Sequence, residues 1–214
     1  MRSLLEPAAV GAASPVRIVL LPGAYQLPED CLAAGFLDAL RQRGLPIDLC
    51  LVDLDLRHLT DRGVLARLRQ EIIAPARAAG CRTIWLAGIS LGAYIALEYA
   101  SSYTQEIGGL CLLSPYLGSR ILCAEIARAG GLDAWTPGEI AVDDADRQIW
   151  QRLKTWRESL GLVYLGYGRQ DRFVQAHELL AAALPPALVD VQPGHHDWDT
   201  WLRLWGRFLD SVSL

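Results

Sequence analysis

A chain of 214 residues with 20 Lys and Arg against 24 Asp and Glu, a net charge of −4 and 52% apolar residues has enough material for one domain around a substantial core. The charges are mixed along the chain, which argues against a basic surface for nucleic acid or anionic lipid. No 18-residue stretch lacks a charge, so no membrane-inserted helix is expected.

Cys31, Cys50, Cys81, Cys111 and Cys123 are odd in number, scattered and never paired as C-x-x-C. That pattern fits neither a disulfide framework nor a zinc site, so no metal is expected, and free thiols point to a reducing compartment. "MRSLLEPAAVGAASP" has one early arginine but no sustained apolar run. Residues 1–15 are therefore expected to be a disordered leader, not a signal peptide, and a cytoplasmic protein follows.

Along the chain, short apolar runs alternate with longer segments of helical spacing. The runs are "VRIVLLPG" (16–23), "LPIDLCLVDL" (45–54), "CRTIWLAG" (81–88), "GGLCLLSP" (108–115), "GLVYLGYG" (161–168) and "ALVDVQPG" (187–194). Most are apolar throughout and end in Gly or Pro, as strands buried on both faces of a parallel sheet do. Helices are predicted over 29–43, 61–79, 91–102, 172–184 and 197–211, with Pro75 kinking or splitting the second. This predicts an α/β chain with one domain over 16–214 and a mainly parallel six-stranded sheet between helical layers. Residues 116–160 are too many for one crossover. They predict a two-helix cap (119–129 and 144–159) inserted after the fourth strand, near the carboxyl ends where such sheets bind ligands.

The segment Gly88-Ile89-Ser90-Leu91-Gly92 lies between a predicted strand and a predicted helix. Glycines on both sides remove Cβ atoms that would collide in a sharp turn, so Ser90 is a candidate nucleophile on a strained elbow. A serine hydroxyl needs a base, and the base an orienting carboxylate. Of four histidines, His58 belongs to a charged loop and His177 to the exposed side of a predicted helix. His195 and His196 follow the last strand, where a loop can return over the sheet. Asp171 follows the fifth strand and opens a helix. Alone it reads as an N-cap, but its place between Ser90 and the paired histidines makes it the candidate acid. Asp143, Asp144 and Asp146 open a helix of the insertion and are weaker candidates.

These residues, in this order, resemble the α/β-hydrolase fold, and the resemblance covers nearly the whole chain after residue 15, with the first two strands of the eight-strand version missing. Small hydrolases of that group end in a motif similar to Gly-x-His-Asp-Trp. Gly194, His196, Asp197 and Trp198 match it, which implies His196 as the base and leaves His195 at the variable position. The resemblance also implies two backbone oxyanion donors, one from Leu91 and one from the loop after the first strand, at Ala24 or Tyr25. Relatives carry His-Gly where this chain has Pro22-Gly23, a departure that leaves the amides available. Tyr25, Tyr116, Trp135, Trp150 and Trp198 are candidate pocket walls, although the stripe of which Trp198 is part, with Trp201 and Trp205, also reads as core. Arg169 and Arg172 flank the acid and could meet an anionic substrate, or simply be solvated.

The function implied is a serine hydrolase acting on a small-molecule carboxylic ester or thioester, with no cofactor. An acyltransferase using the same three residues is the alternative. A non-catalytic binding protein on this fold is disfavoured because no member of the trio is missing.

Overall fold

The protein was analysed as a computed structural model that describes residues 1–8, 14–54, 63–156, 161–184 and 188–211. All six apolar runs form parallel strands of one sheet: β2 (Val16–Leu21), β3 (Asp48–Val52), β4 (Thr83–Ile89), β5 (Gly109–Leu113), β6 (Leu162–Gly168) and β7 (Leu188–Gln192). A seventh, β1 (Ser3–Glu6), runs antiparallel to β3 and gives the order β1-β3-β2-β4-β5-β6-β7.

β1 corrects two expectations, the disordered leader and the six-strand count. The exposed edge of β3 offers unpaired backbone groups, and Leu4 and Leu5 lie opposite Leu51 and Cys50. Arg2 fixes the strand further, pairing with Glu29 and, at 3.1 Å, with Asp53. Four residues are too few for a reading of local periodicity to find; the partner strand makes the element.

Helices cover both faces, each with its own core. On one face α9 (Trp198–Ser211) packs with α1 (Pro28–Ala33) and α2 (Phe36–Gln42), where Trp205 stacks on Phe36 at 5.5 Å and donates its indole N–H to the Phe36 carbonyl. The helix predicted over 29–43 is two helices, because Gly35 adopts a φ of 92° between them. On the other face lie α3 (Gly63–Leu68), α4 (Ala74–Ala78), α5 (Leu91–Ser102) and α8 (Val174–Ala183). α3 and α4 are joined by a π turn over Arg69–Ile73, in which Ala74 N–H reaches back to the Arg69 carbonyl. Pro75 has no N–H to give, and the widened turn accommodates its ring. The start of the helix predicted at 61, and His58, lie outside the described residues.

The insertion holds α6 (Arg120–Arg128), packed on α8, and α7 (Ala145–Trp156), packed on α5. All five cysteines are buried and unpaired. Among the described residues no helix is long and apolar enough to cross a membrane.

Candidate active site

β4, β6 and β7 deliver three side chains to one edge of the sheet. Ser90 ends β4 in a conformation of φ 52°, ψ −109°, a region that costs a non-glycine residue about 1–3 kcal/mol and persists only where its surroundings enforce it. The surroundings are specific. Ser90 N–H donates to the Leu113 carbonyl at 2.9 Å, and the Ser90 carbonyl accepts from Tyr116 at 3.0 Å and from Tyr94 at 3.2 Å. A Cβ on Gly88 would overlap backbone of Gly92 and Ala93, and one on Gly92 would overlap the Leu21 and Pro22 carbonyl oxygens. Gly92 therefore lets α5 start against the end of β2. The variant Gly92→Ala is expected to lose about 2–4 kcal/mol of stability, read as a lower urea midpoint at unchanged slope.

His196 Nε2 lies 2.9 Å from Ser90 Oγ, and His196 Nδ1 lies 2.8 Å from Asp171 Oδ2. Asp171 is 3% exposed. Burial pushes its carboxyl up, but hydrogen bonds from His196 and the Phe173 amide outweigh burial and hold it below the usual carboxylate range. An ionised Asp171 can only accept, so Nδ1 carries the imidazole proton. Nε2 is then free to accept from the Ser90 hydroxyl. The imidazole is clasped edge-on by Phe173 (5.1 Å) and Trp201 (5.0 Å), which limits its rotation.

The loops that carry acid and imidazole are tied together. Gln170 N–H donates to the Gly194 carbonyl at 2.9 Å, and Gly194 N–H returns a bond to Gln170 Oε1 at 2.8 Å. A Cβ on Gly168 would overlap the Gly194 carbonyl. Asp197 Oδ1 accepts from Thr200 N–H at 2.9 Å at the start of α9, and Thr200 Oγ1 accepts from His195 N–H at 3.1 Å. This anchoring leaves His195 exposed and directs His196 inward.

The other expected residues divide. Leu91 is the first residue of α5, so its N–H has no acceptor within the helix. Gly23 N–H is taken by Gln26 Oε1 at 2.7 Å, whereas the Ala24 and Tyr25 amides donate to no group among the described residues. Tyr25 has a φ of 61°, and its side chain is 91% exposed. It stands in solvent. Trp135 and Trp150 lie in the core. Both are buried, with their indole N–H groups given within the insertion to Glu125 (2.9 Å) and the Leu117 carbonyl (2.9 Å), and both share a core cluster with residues of α5 and the sheet. Tyr116 is half-buried and does reach the site's surroundings, edge-on to Phe173 at 5.7 Å. Trp198 packs on Trp201 and Phe36, one ring removed from His196. Asp144 caps α7 and pairs with Arg147, and Asp146 sits half-buried against Tyr116 and Ser119; neither approaches Ser90 through a direct bond.

His177 corrects another expectation. It is fully buried; Nε2 lies 3.0 Å from the Pro115 carbonyl and Nδ1 has no partner among the described residues. Burial lowers its pKa from 6.5 to about 4, against the opposing pull of Asp171. The imidazole is thus neutral in the folded protein, while an unfolded chain would protonate it below about 6.5. Native stability contributed by this group is complete above 6.5 and falls as pH drops from 6.5 to 4, by roughly 3 kcal/mol in all. The raised Glu98 and Asp146 carboxyls, pushed up by burial, act in the opposite sense at lower pH. In urea titrations the difference between the protein and His177→Gln should therefore change steeply between pH 6.5 and 4. A flat difference would mean that His177 is charged or solvated in the native state.

No protein-family model and no curated protein matches the chain in sequence. Its backbone is similar to that of several solved structures. Est1E of Butyrivibrio proteoclasticus is 17% identical, covering 97% of this chain and 90% of its own, with a TM-score of 0.70. A fluorophosphonate-binding serine hydrolase of Staphylococcus aureus, solved with substrate bound, is 13% identical over 94% of this chain and 85% of its own, with a TM-score of 0.69. An alpha-beta serine hydrolase homologue from Coxiella burnetii is 16% identical over 97% and 88%, at 0.61. The protein has the α/β-hydrolase fold.

Proposed function

We propose that the protein is a serine hydrolase that cleaves a carboxylic ester or thioester through an acyl-enzyme, with Ser90 as nucleophile, His196 as general base and acid, and Asp171 as orienting carboxylate. The observation that carries this reading is the continuous line of hydrogen bonds from Asp171 through both nitrogens of His196 to Ser90. Est1E has also been solved with ferulic acid bound, and an S-formylglutathione hydrolase shares the fold, which fits ester or thioester chemistry.

In the proposed reaction Ser90 Oγ attacks the carbonyl carbon as its proton passes to His196 Nε2. The charge that develops on the carbonyl oxygen is received by the Leu91 and Ala24 amides, with Tyr25 N–H the neighbouring donor. Collapse breaks the bond to the leaving alcohol or thiol, which takes the proton from His196. Water then attacks the acyl carbon, gives a proton to His196, and the Ser90 oxygen leaves with that proton. The ionised Asp171 keeps the productive tautomer throughout and stabilises the imidazolium. No cofactor is needed for any of these steps.

The test is initial rates on aryl acetates, longer aryl esters and acyl thioesters of matched chain length, with Ser90→Ala as the blank. Hydrolysis above that blank supports the reading, and its absence across both series opposes it. A product formed only when an alcohol or amine acceptor is added would identify acyl transfer instead.

A further inference from the structure

Between α6 and α8 lies a small cavity of about 80 Å³, lined by Gly118, Arg120, Cys123, Arg172, Phe173 and the first turn of α8. A single water needs about 10–15 Å³ of such space, so the cavity admits a small polar group such as a carboxylate or phosphate. Two of its lining residues are arginines from separate elements, and no carboxylate lines it.

Arg2, Arg17, Arg43, Arg67, Arg69, Arg147 and Arg207 pair with acids. Arg120 and Arg172, both exposed, pair with none among the described residues, as is also true of Arg82, Arg128 and Arg169. Arg172 is held with its guanidinium 4.9 Å from the Phe173 ring centre, and Arg120 Nη2 lies 3.5 Å from the Arg172 carbonyl. What distinguishes these two exposed arginines is that they line one concavity from separate elements with no carboxylate in its lining. The first turn of α6, which frames the cavity, contains no acid, so the positive end of that helix adds to the field. Of the acids nearby, Asp171 adjoins Arg172 and is committed to the Phe173 amide and His196, and the other with a described contact is Asp146, beyond Gly118. It is engaged with Ser119 and Tyr116, and burial pushes its carboxyl up toward the neutral form.

The cavity's position says which part of a substrate it meets. Phe173 is shared: one edge contact goes to His196, and its face carries Arg172. In the proposed reaction His196 passes its proton to the departing oxygen or sulfur, so the leaving group must lie on the His196 side of the scissile carbonyl. Resting on that reaction, we infer that Arg120 and Arg172 form a subsite for a carboxylate or phosphate on the leaving alcohol or thiol, with Phe173 as the spacer between charge and chemistry.

The test compares 4-(carboxymethyl)phenyl acetate with 4-methylphenyl acetate, which share an acyl group and differ in the charge of the departing phenol. The ratio of their kcat/KM values is expected to favour the anionic ester in the wild type and to fall about fivefold to tenfold in the Arg120→Ala/Arg172→Ala double variant. Arg172→Lys should keep part of the preference, and added salt should erode it. Stronger competition by inorganic phosphate than by acetate would assign phosphate as the head group, and the reverse would assign carboxylate. Equal ratios in wild type and double variant overturn the subsite while leaving the hydrolase intact. A second readout needs no turnover: calorimetric titration with 4-hydroxyphenylacetate against 4-methylphenol. Arginine-dependent binding of the anion by a protein that hydrolyses neither ester would preserve the subsite and refute the hydrolase. Binding that survives the double variant would again overturn the subsite.

Discussion

Replacement of Ser90 by alanine is expected to abolish labelling by a fluorophosphonate probe and to lower ester hydrolysis by about 10⁴-fold or more, the scale of losing the nucleophile from such a trio. The loss should not be one of folding. The Ser90 side chain makes one bond, to His196, whereas its backbone holds the turn through Leu113, Tyr116 and Tyr94. The variant's thermal midpoint should therefore stay close to that of the parent. His196→Ala should cost about as much as Ser90→Ala, and the double variant little more than either, because the two groups act on one proton. Undiminished labelling of Ser90→Ala would remove this residue from the chemistry. Additive losses would mean that Ser90 and His196 work separately.

The turn that carries the candidate nucleophile was legible in the sequence where local sterics dictate it. Gly and Ser are common at any strand-to-helix junction, but the overlaps that a Cβ would make at Gly88 and Gly92 show why both are glycine here. Asp171 was ambiguous for a physical reason: its Oδ1 does accept from the Phe173 amide at 2.9 Å, a local turn bond of the kind an N-cap makes, while Oδ2 serves His196. One carboxylate fills both roles, and sequence reasoning sees only the first without its partners. The two adjacent histidines separate through contacts that no motif displays, the Gln170–Gly194 brace and the anchoring of the His195 amide on Thr200.

What escaped the sequence was set by tertiary partners. β1 exists because β3 has a free edge. The apolar stripes of α6 and α7 could not say whether tryptophans in the insertion face a ligand or the body; the burial of Trp135 and Trp150 in one core cluster with α5 and the sheet places them against the body. His177 carried a signal that was passed over. Ala176, Leu180 and Ala183 form the buried stripe of α8 and His177 lies beside it, so a helical wheel would have turned it inward. Phe173, two residues after the acid, had no signal, yet it meets His196, Tyr116 and the Arg172 guanidinium.

Asp171→Asn is expected to lower kcat by roughly 10⁴-fold while leaving the fold and substrate affinity largely in place. The amide is nearly isosteric with the carboxylate and can still accept from the Phe173 amide, so the turn that opens α8 survives. The change lies in the proton. Asn can present its NH₂ to His196 Nδ1, which favours the tautomer with the proton on Nε2, and that nitrogen can then no longer accept from Ser90. It also removes the negative charge that stabilises the imidazolium in the transition state. Asp171→Ala should be the more damaging for stability, because it leaves the Phe173 N–H and a buried imidazole edge without acceptors, at about 1–3 kcal/mol. Rates for Asp171→Asn should rise with pH, as hydroxide comes to replace the missing base, where the parent has levelled off. A parent-like rate and pH profile in Asp171→Asn would show that this carboxylate only caps α8, and the acid of the trio would have to be sought elsewhere.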